Sequence, residues 1–280
     1  AQWLDLNGDG RPDIIVSKQD RFTWYPSKGK EGFEAPIEFA KPHATGVSQA
    51  QAIAEDPDLE FFFADMNGDG LLDLVHVGNG RVEYWPQIGN GQFGEGILME
   101  NAPVFDFDSE FDAGRLRFVD LDGSGTTDFL YIGRGEIRYW INASGNRFVE
   151  GGRLKDLPYI DNVSTARVLD FLGDGTPCLV WSSPLLNHSN TPIHYLQLTK
   201  GVNPRLLLSV NNSMGRECRL SYSSSSIYYL RDKNRGREWI SKLPTHVTVV
   251  DKKEDIDLIG VSRLVSRYEY HDGYFDSQKR

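Results

Sequence analysis

One stretch constrains this chain more than any other: Asp65-Met66-Asn67-Gly68-Asp69-Gly70-Leu71-Leu72-Asp73. Oxygen-bearing side chains stand at positions 1, 3, 5 and 9 of the loop, and glycines at positions 4 and 6. Ca2+ is a hard cation that takes about 6–8 oxygens at about 2.3–2.6 Å. Side chains at 1, 3 and 5 can wrap one side of such an ion while the glycines take the tight, left-handed turns this demands. Leu71 at position 7 would offer its backbone carbonyl, so its side chain is free to be apolar. An EF-hand places Glu at position 12 and continues as a helix. Here position 12 is His76, and Leu74-Val75-His76-Val77 reads as a strand. The loop is EF-like in its ligands but joins β-strands.

The pattern recurs. Asp5, Asn7, Asp9, Arg11 and Asp13 fill the same positions in a first copy, and Asp120, Asp122, Ser124, Thr126 and Asp128 in a third. Arg11 and Thr126, like Leu71, stand at position 7 and would contribute backbone carbonyls. A fourth copy keeps Asp170, Asp174 and the glycines but has Leu172 and Cys178 where positions 3 and 9 need oxygen. Leu cannot coordinate, and a thiol is a soft ligand for a hard ion. Three calcium sites are therefore expected, with the fourth loop empty but hairpin-shaped and Leu172 turned inward or packed on a neighbour.

More than the loop repeats. An aromatic pair follows the first Asp by 19 and 20 residues (Trp24-Tyr25, Tyr84-Trp85, Tyr139-Trp140), and Phe follows it by 28 (Phe33, Phe93, Phe148). The fourth unit keeps only Tyr195 of this set. Period and composition together are the signature of a repeat architecture. In the third unit, strands are expected at Leu116–Val119, Asp128–Ile132, Glu136–Ile141 and Arg147–Val149. Four short antiparallel strands with aromatics at fixed places make one blade of a β-propeller. The fold class is thus all-β: four visible blade units over residues 1–205, then a second β region over 206–280. In that region Leu206–Ser226 reads as a hairpin, His246–Asp251 and Val261–Tyr270 as strands, and Tyr228–Lys242 as a basic, irregular stretch. Ala40 to Asp58 reads as a surface excursion.

The net charge of −10 argues against a nucleic-acid partner, and three bound Ca2+ would bring it to about −4. No run approaches the roughly 18 apolar residues of a membrane helix, so no direct membrane insertion is expected. Ala1 stands only four residues before a ligand, so the chain reads as cut from something longer. Cys178 and Cys218 make no disulfide framework and are expected to be free thiols.

Each motif has a blander reading. The loops could be Asx- and Gly-rich hairpin turns without metal, although uncompensated clusters of carboxylates repel. The aromatic pairs could stack sugars or pack between blades, and their fixed offset favours packing. The six histidines show no metal spacing. No nucleophile elbow, phosphate-binding Gly-Lys loop or His-Glu-x-x-His is present, so no enzymatic activity is expected. Asn142, Asn162, Asn187 and Asn211 each open a glycosylation pattern.

The loops alone resemble FG-GAP/VCBS repeats of integrin-like propellers and secreted bacterial proteins. The C-terminal third carries a more specific resemblance. Tyr229–Arg237, Lys242–Val250 and Arg267–Asp276 are similar to the middle region of the TcB component of bacterial toxin complexes (the TcdB, TcaC and SpvB-like family), as are Trp24-Tyr25-Pro26 and Tyr84-Trp85-Pro86. The resemblance implies a secreted bacterial protein that acts by assembly. In that family TcB and TcC form a hollow shell of Rhs-type repeats around a toxic enzyme, and a six-bladed TcB propeller closes the shell and docks on the TcA channel. Residues 1–205 would belong to that propeller and 206–280 to the start of the shell, with TcA-type and TcC-type partners. The competing expectation is a calcium-stabilised adhesin-like or carbohydrate-binding propeller.

Overall fold

The structure is a computed structural model that describes residues 1–42, 61–89, 91–155, 164–184, 192–199, 201, 203–240, 243 and 246–274. Short alternating strands separated by glycine turns pair into antiparallel sheets, as the sequence pattern requires. The chain divides into two compact units, Ala1–Asp120 with Ser124–Ile160, and Leu121–Gly123 with Asp161–Arg280. This division follows compactness, whereas the boundary read at 205/206 follows the end of the repeat.

The first unit holds three four-stranded antiparallel sheets. The first runs in order through β1 (Gln2–Leu4), β2 (Asp13–Ser17), β3 (Arg21–Tyr25) and β4 (Ile37–Ala40). The second takes β5 (Phe61–Ala64), β6 (Asp73–Gly78), β7 (Arg81–Trp85) and β10 (Ile97–Leu98), with a small side hairpin of β8 (Gln87–Gly89) and β9 (Gln92–Phe93). The third is built from β11 (Leu116–Val119), β12 (Asp128–Ile132), β13 (Ile137–Ala143) and β14 (Arg147–Leu154). Only here does the repeated Phe lie in the fourth strand. Phe33 sits in an isolated bridge to Ser27 and Phe93 in the side hairpin, so the fourth strands of the first two sheets start later than the repeat implies. A tight turn at Ala143–Arg147 lets β14 follow β13 directly, with one register shift at Tyr139/Trp140, and the other two units interpose a loop.

The aromatic offsets find their use in packing. Trp24 packs with Leu6, Ile15, Phe22, Leu74 and Trp85 in one core between the first and second sheets. Tyr84 and Trp140 join Met66, Phe105, Phe129, Tyr131 and Phe148 in another, between the second and third. All four of these repeat aromatics are buried, and each such side chain contributes about 1.5–3 kcal/mol.

The second unit contains a three-stranded sheet, β15 (Thr165–Leu169), β16 (Cys178–Ser182) and β17 (Ile193–Gln197). It also contains a four-stranded sheet in the order β18 (Ser209–Asn211), β19 (Arg216–Ser224), β20 (Thr248–Asp257) and β21 (Ser262–Arg267). The expected hairpin turns at Asn212 to Gly215, where Asn212 Oδ1 accepts the Met214 and Arg216 N–H groups. The stretch read as irregular, Tyr228–Lys242, is helical in its first part: α1 (Ser225–Asn234) is capped by the Ser224 hydroxyl, and only from Arg235 to Ile240 is the chain irregular as expected. This helix was hidden in the sequence because it carries little apolar periodicity. It is anchored through polar groups instead: Tyr228 donates to Asp251 at 2.8 Å, and Asp232 accepts from Trp239 Nε1 at 2.8 Å. The His271 ring also faces Asp232, and these two partners, His271 foremost, hold the Asp232 carboxyl below its usual range. The excursion at Ala40 to Asp58 lies almost wholly outside the described residues, as do Asn162 and Asn187.

One residue ties the second sheet to the third. Asn142 is 2% exposed. Its Nδ2 donates to the Met66 carbonyl at 2.8 Å and the Thr127 carbonyl at 3.2 Å, and its Oδ1 accepts from Gly145 N. The amide of this glycosylation pattern is consumed in the core. An Asn142→Ala variant should lose about 2–4 kcal/mol, because a buried group left without its partner costs about 1–3 kcal/mol. Urea unfolding measures this, and a loss under 0.5 kcal/mol would contradict the role.

Candidate metal centre

All four loops share one backbone. The position-4 and position-6 glycines are left-handed in every copy, at φ 70 and 82, 85 and 85, 70 and 84, and 67 and 88 degrees. The register is equally constant: Leu4 pairs with Asp13, Ala64 with Asp73, Val119 with Asp128 and Leu169 with Cys178. A chain of Asx turns then closes each loop. Asp5, Asp65, Asp120 and Asp170 at position 1 each accept the N–H of the position-6 glycine. Asn7 and Asn67 at position 3 accept from Asp9 and Asp69, which in turn accept from Arg11 and Leu71 at position 7. In the third loop Ser124 Oγ lies 2.8 Å from Thr126 Oγ1, which donates to the Asn142 carbonyl.

Position 9 is different, being fully buried in every copy, Cys178 included. Asp13 accepts the Leu6 and Ser27 N–H groups and the Trp24 indole N–H. Asp73 accepts from Met66 and Gln87, and Asp128 from Asn142. The position-9 carboxylate therefore fastens the loop to the end of the third strand, at Asn142 inside β13, or just beyond it, at Ser27 and Gln87 two residues past β3 and β7.

The donors fit a calcium ion. The set is all oxygen, and an Asx turn occupies only part of each carboxylate's accepting capacity. In the third loop one oxygen from each of Asp120, Asp122 and Asp128 lies within 4.8 Å of the others. In the second, burial first, then backbone N–H groups pulling the other way and the Asp69 and Asp65 charges, leave the Asp73 carboxyl raised to about 6. A cation held beside the carboxylate would favour its charged form and bring the value back down. Asp5, Asn7, Asp9 and Asp13 would hold the first ion with the Arg11 carbonyl. Asp65, Asn67, Asp69 and Asp73 would hold the second with that of Leu71, and Asp120, Asp122, Ser124 and Asp128 the third with that of Thr126.

Two partners escaped the sequence reading. Arg205, itself left-handed at φ 58, donates from Nε to the Asp122 carbonyl at 3.0 Å and from Nη2 to the Asp122 carboxylate. His246 Nδ1 lies 3.0 Å from Asp170 Oδ2. Both are more than seventy residues from their partners in sequence, and no local pattern marks them. The fourth loop keeps the hairpin as expected, but Leu172 is 44% exposed rather than turned inward. Both cysteines are free, and burial pushes the Cys178 thiol up.

Comparison with known proteins narrows the setting. Residues 142–280 match the family model described as the insecticide toxin TcdB middle/N-terminal region. The whole chain superposes on part of the Photorhabdus luminescens Tc holotoxin pore with a TM-score of 0.79 and 28% identity, covering 100% of this chain and 13% of that one. A TcdB2–TccC3 complex without its hypervariable C-terminal region matches at TM-score 0.70 and 21% identity, over 100% of this chain and 18% of that one. An Agrocybe aegerita lectin, described as recognising non-reducing terminal N-acetylglucosamine, matches at TM-score 0.50 and 16% identity, over 95% and 64%. The last two likenesses are of fold alone. No curated protein matches the chain. The chain is thus similar to a TcB-type segment of the Tc toxins and spans 13–18% of the length of those solved chains.

A pH dependence follows from Asp73. In the metal-free fold it takes up a proton as pH falls through about 6, whereas the unfolded chain does so near 3.8. Its own contribution to metal-free stability therefore rises as pH falls from about 6 to 3.8. Calcium needs the carboxylate, so affinity at the second loop should fall by up to about tenfold per pH unit below 6. Calcium isotherms at pH 7.5 and 5.0 test this, with Asp73→Asn as the control, and equal affinities would refute it.

Proposed function

We propose that this chain is a non-enzymatic assembly and gating module of a secreted bacterial toxin complex. In this reading residues 1–205 are blades of a six-bladed, calcium-stabilised propeller that closes the toxin-enclosing shell and docks on a TcA-type channel. Residues 206–280 lead into the Rhs-type shell shared with a TcC-type partner. The observation that carries the reading is the match of the entire chain, at 28% identity, to part of a Tc holotoxin pore. The family match over residues 142–280 supports it independently of the first three loops.

The physics agrees with a structural task. The buried loop carboxylates Asp13 and Asp73 are tied up by backbone and indole N–H groups, a use that is structural rather than catalytic. No helix among the described residues is long and apolar enough to cross a membrane. The lectin-like reading draws on one fold likeness, but Trp24, Tyr84, Trp85 and Trp140 are buried and offer no stacking face.

Two measurements test the proposal. The protein should bind a purified TcA-type channel by size-exclusion chromatography or interferometry and should leave a glycan array unlabelled. Excess EDTA should lower its melting temperature, since a site held at about 100 times its dissociation constant contributes about 2.7 kcal/mol. Glycan binding without channel binding would overturn the assembly reading. An unchanged melt in EDTA, with no metal by elemental analysis, would overturn the calcium part.

A further inference from the structure

The fourth loop keeps the backbone of the other three but only two of their acidic side chains, Asp170 and Asp174. Each has acquired a donor from elsewhere in the second unit. Asp174 Oδ2 accepts from Gln197 Nε2 at 3.3 Å, and its Oδ1 from the Thr176 hydroxyl at 2.6 Å. Asp170 Oδ2 faces His246 Nδ1 at 3.0 Å, in a pair whose side chains are only 23% and 27% exposed. The imidazole lies so close over the loop that a Cβ on Gly175 would meet its Nε2 at 2.6 Å.

The same loop is gripped a second time. Ser224, at the end of β19 and the cap of α1, donates its hydroxyl to the Gly173 carbonyl at 2.7 Å. Val247, next to His246, exchanges hydrogen bonds with Ser225, its N–H reaching the Ser225 hydroxyl and its carbonyl the Ser225 N–H, both at 2.9 Å. Asn203, which lies 3.1 Å from the place a Gly175 Cβ would take, donates to the Thr248 hydroxyl at the start of β20. The residues that lead into β20 and the corner that ends β19 therefore converge on positions 1, 4 and 6 of one loop.

We propose that the fourth loop is a metal-free socket in which His246 stands in the cation's place and, with Ser224, seats the C-terminal sheet on the loop. The loss of oxygen at Leu172 and Cys178 is then part of an exchange: the loop gives up an ion and gains a fixed attachment that calcium supply does not govern. The seat itself does not depend on the calcium reading of the other three loops, which supplies only the contrast.

The test is a double-mutant cycle in the full chain, melted in excess EDTA so that it is independent of any calcium site. His246→Gln and Asp170→Asn should each lower the melting temperature by about 2–4 °C, the shift of roughly 1 kcal/mol in a domain of this size. Together they should lower it by little more than either alone, because residues in contact are not additive. Simple addition of the two shifts would overturn the proposal. Should a variant fail to fold, nitrogen-15 spectra of the wild-type histidines decide. A proton on His246 Nδ1 supports the seat. An unprotonated Nδ1, or zinc or calcium bound at this imidazole on addition of the metal, refutes it.

Discussion

Everything in the repeat depends on one buried acceptor, the position-9 side chain that opens the second strand of each sheet. A fully buried carboxylate survives only if its oxygens are hydrogen-bonded. Asp13 meets that demand with the Leu6 and Ser27 amides and the Trp24 indole, and so fixes the loop, the third strand and a core aromatic at once. The glycines at positions 4 and 6 follow from the same geometry. To bring position 1 back over position 6 within so few residues the backbone must turn left-handed twice, which side chains with a Cβ resist.

From that fastening the packing follows. With the strands registered by the loop, the aromatic offsets fall on the same faces in successive sheets. Neighbouring sheets share cores around Trp24 and Trp85 on one side and Tyr84 and Trp140 on the other. The carboxylates left at the loop mouths form a field of like charge, which an ion or a basic side chain can compensate. Arg205 at Asp122 shows that the chain itself can answer part of that demand.

What was legible in the sequence was what repeats. The loops, strand pairings and buried aromatics could be read because period and spacing report local geometry directly. Other features were not legible, for separate physical reasons. Helix α1 is held by Tyr228 and Asp232 through hydrogen bonds rather than by an apolar stripe, so no 3.6-residue pattern announced it. Phe33 and Phe93 keep the offset of Phe148 without its strand, since loop length intervenes between them and their fourth strands. The loop acids themselves were readable, but which side chains elsewhere in the chain would face them was not. His246 and Arg205 meet their acids only through tertiary contact.

Asn142 carries a consequence for how the protein is made. The eukaryotic oligosaccharide is attached to a chain still extended, before burial can hide an acceptor. In a secretory host the Asn142-Ala143-Ser144 site would thus be open at the moment of transfer. A glycan there would remove the Nδ2 donor from the Met66 and Thr127 carbonyls and wedge a bulky sugar where Gly145 must close on Tyr84. The second and third sheets could then not come together. The choice of a cytosolic or bacterial expression host is, for this fold, a structural requirement set by a single amide.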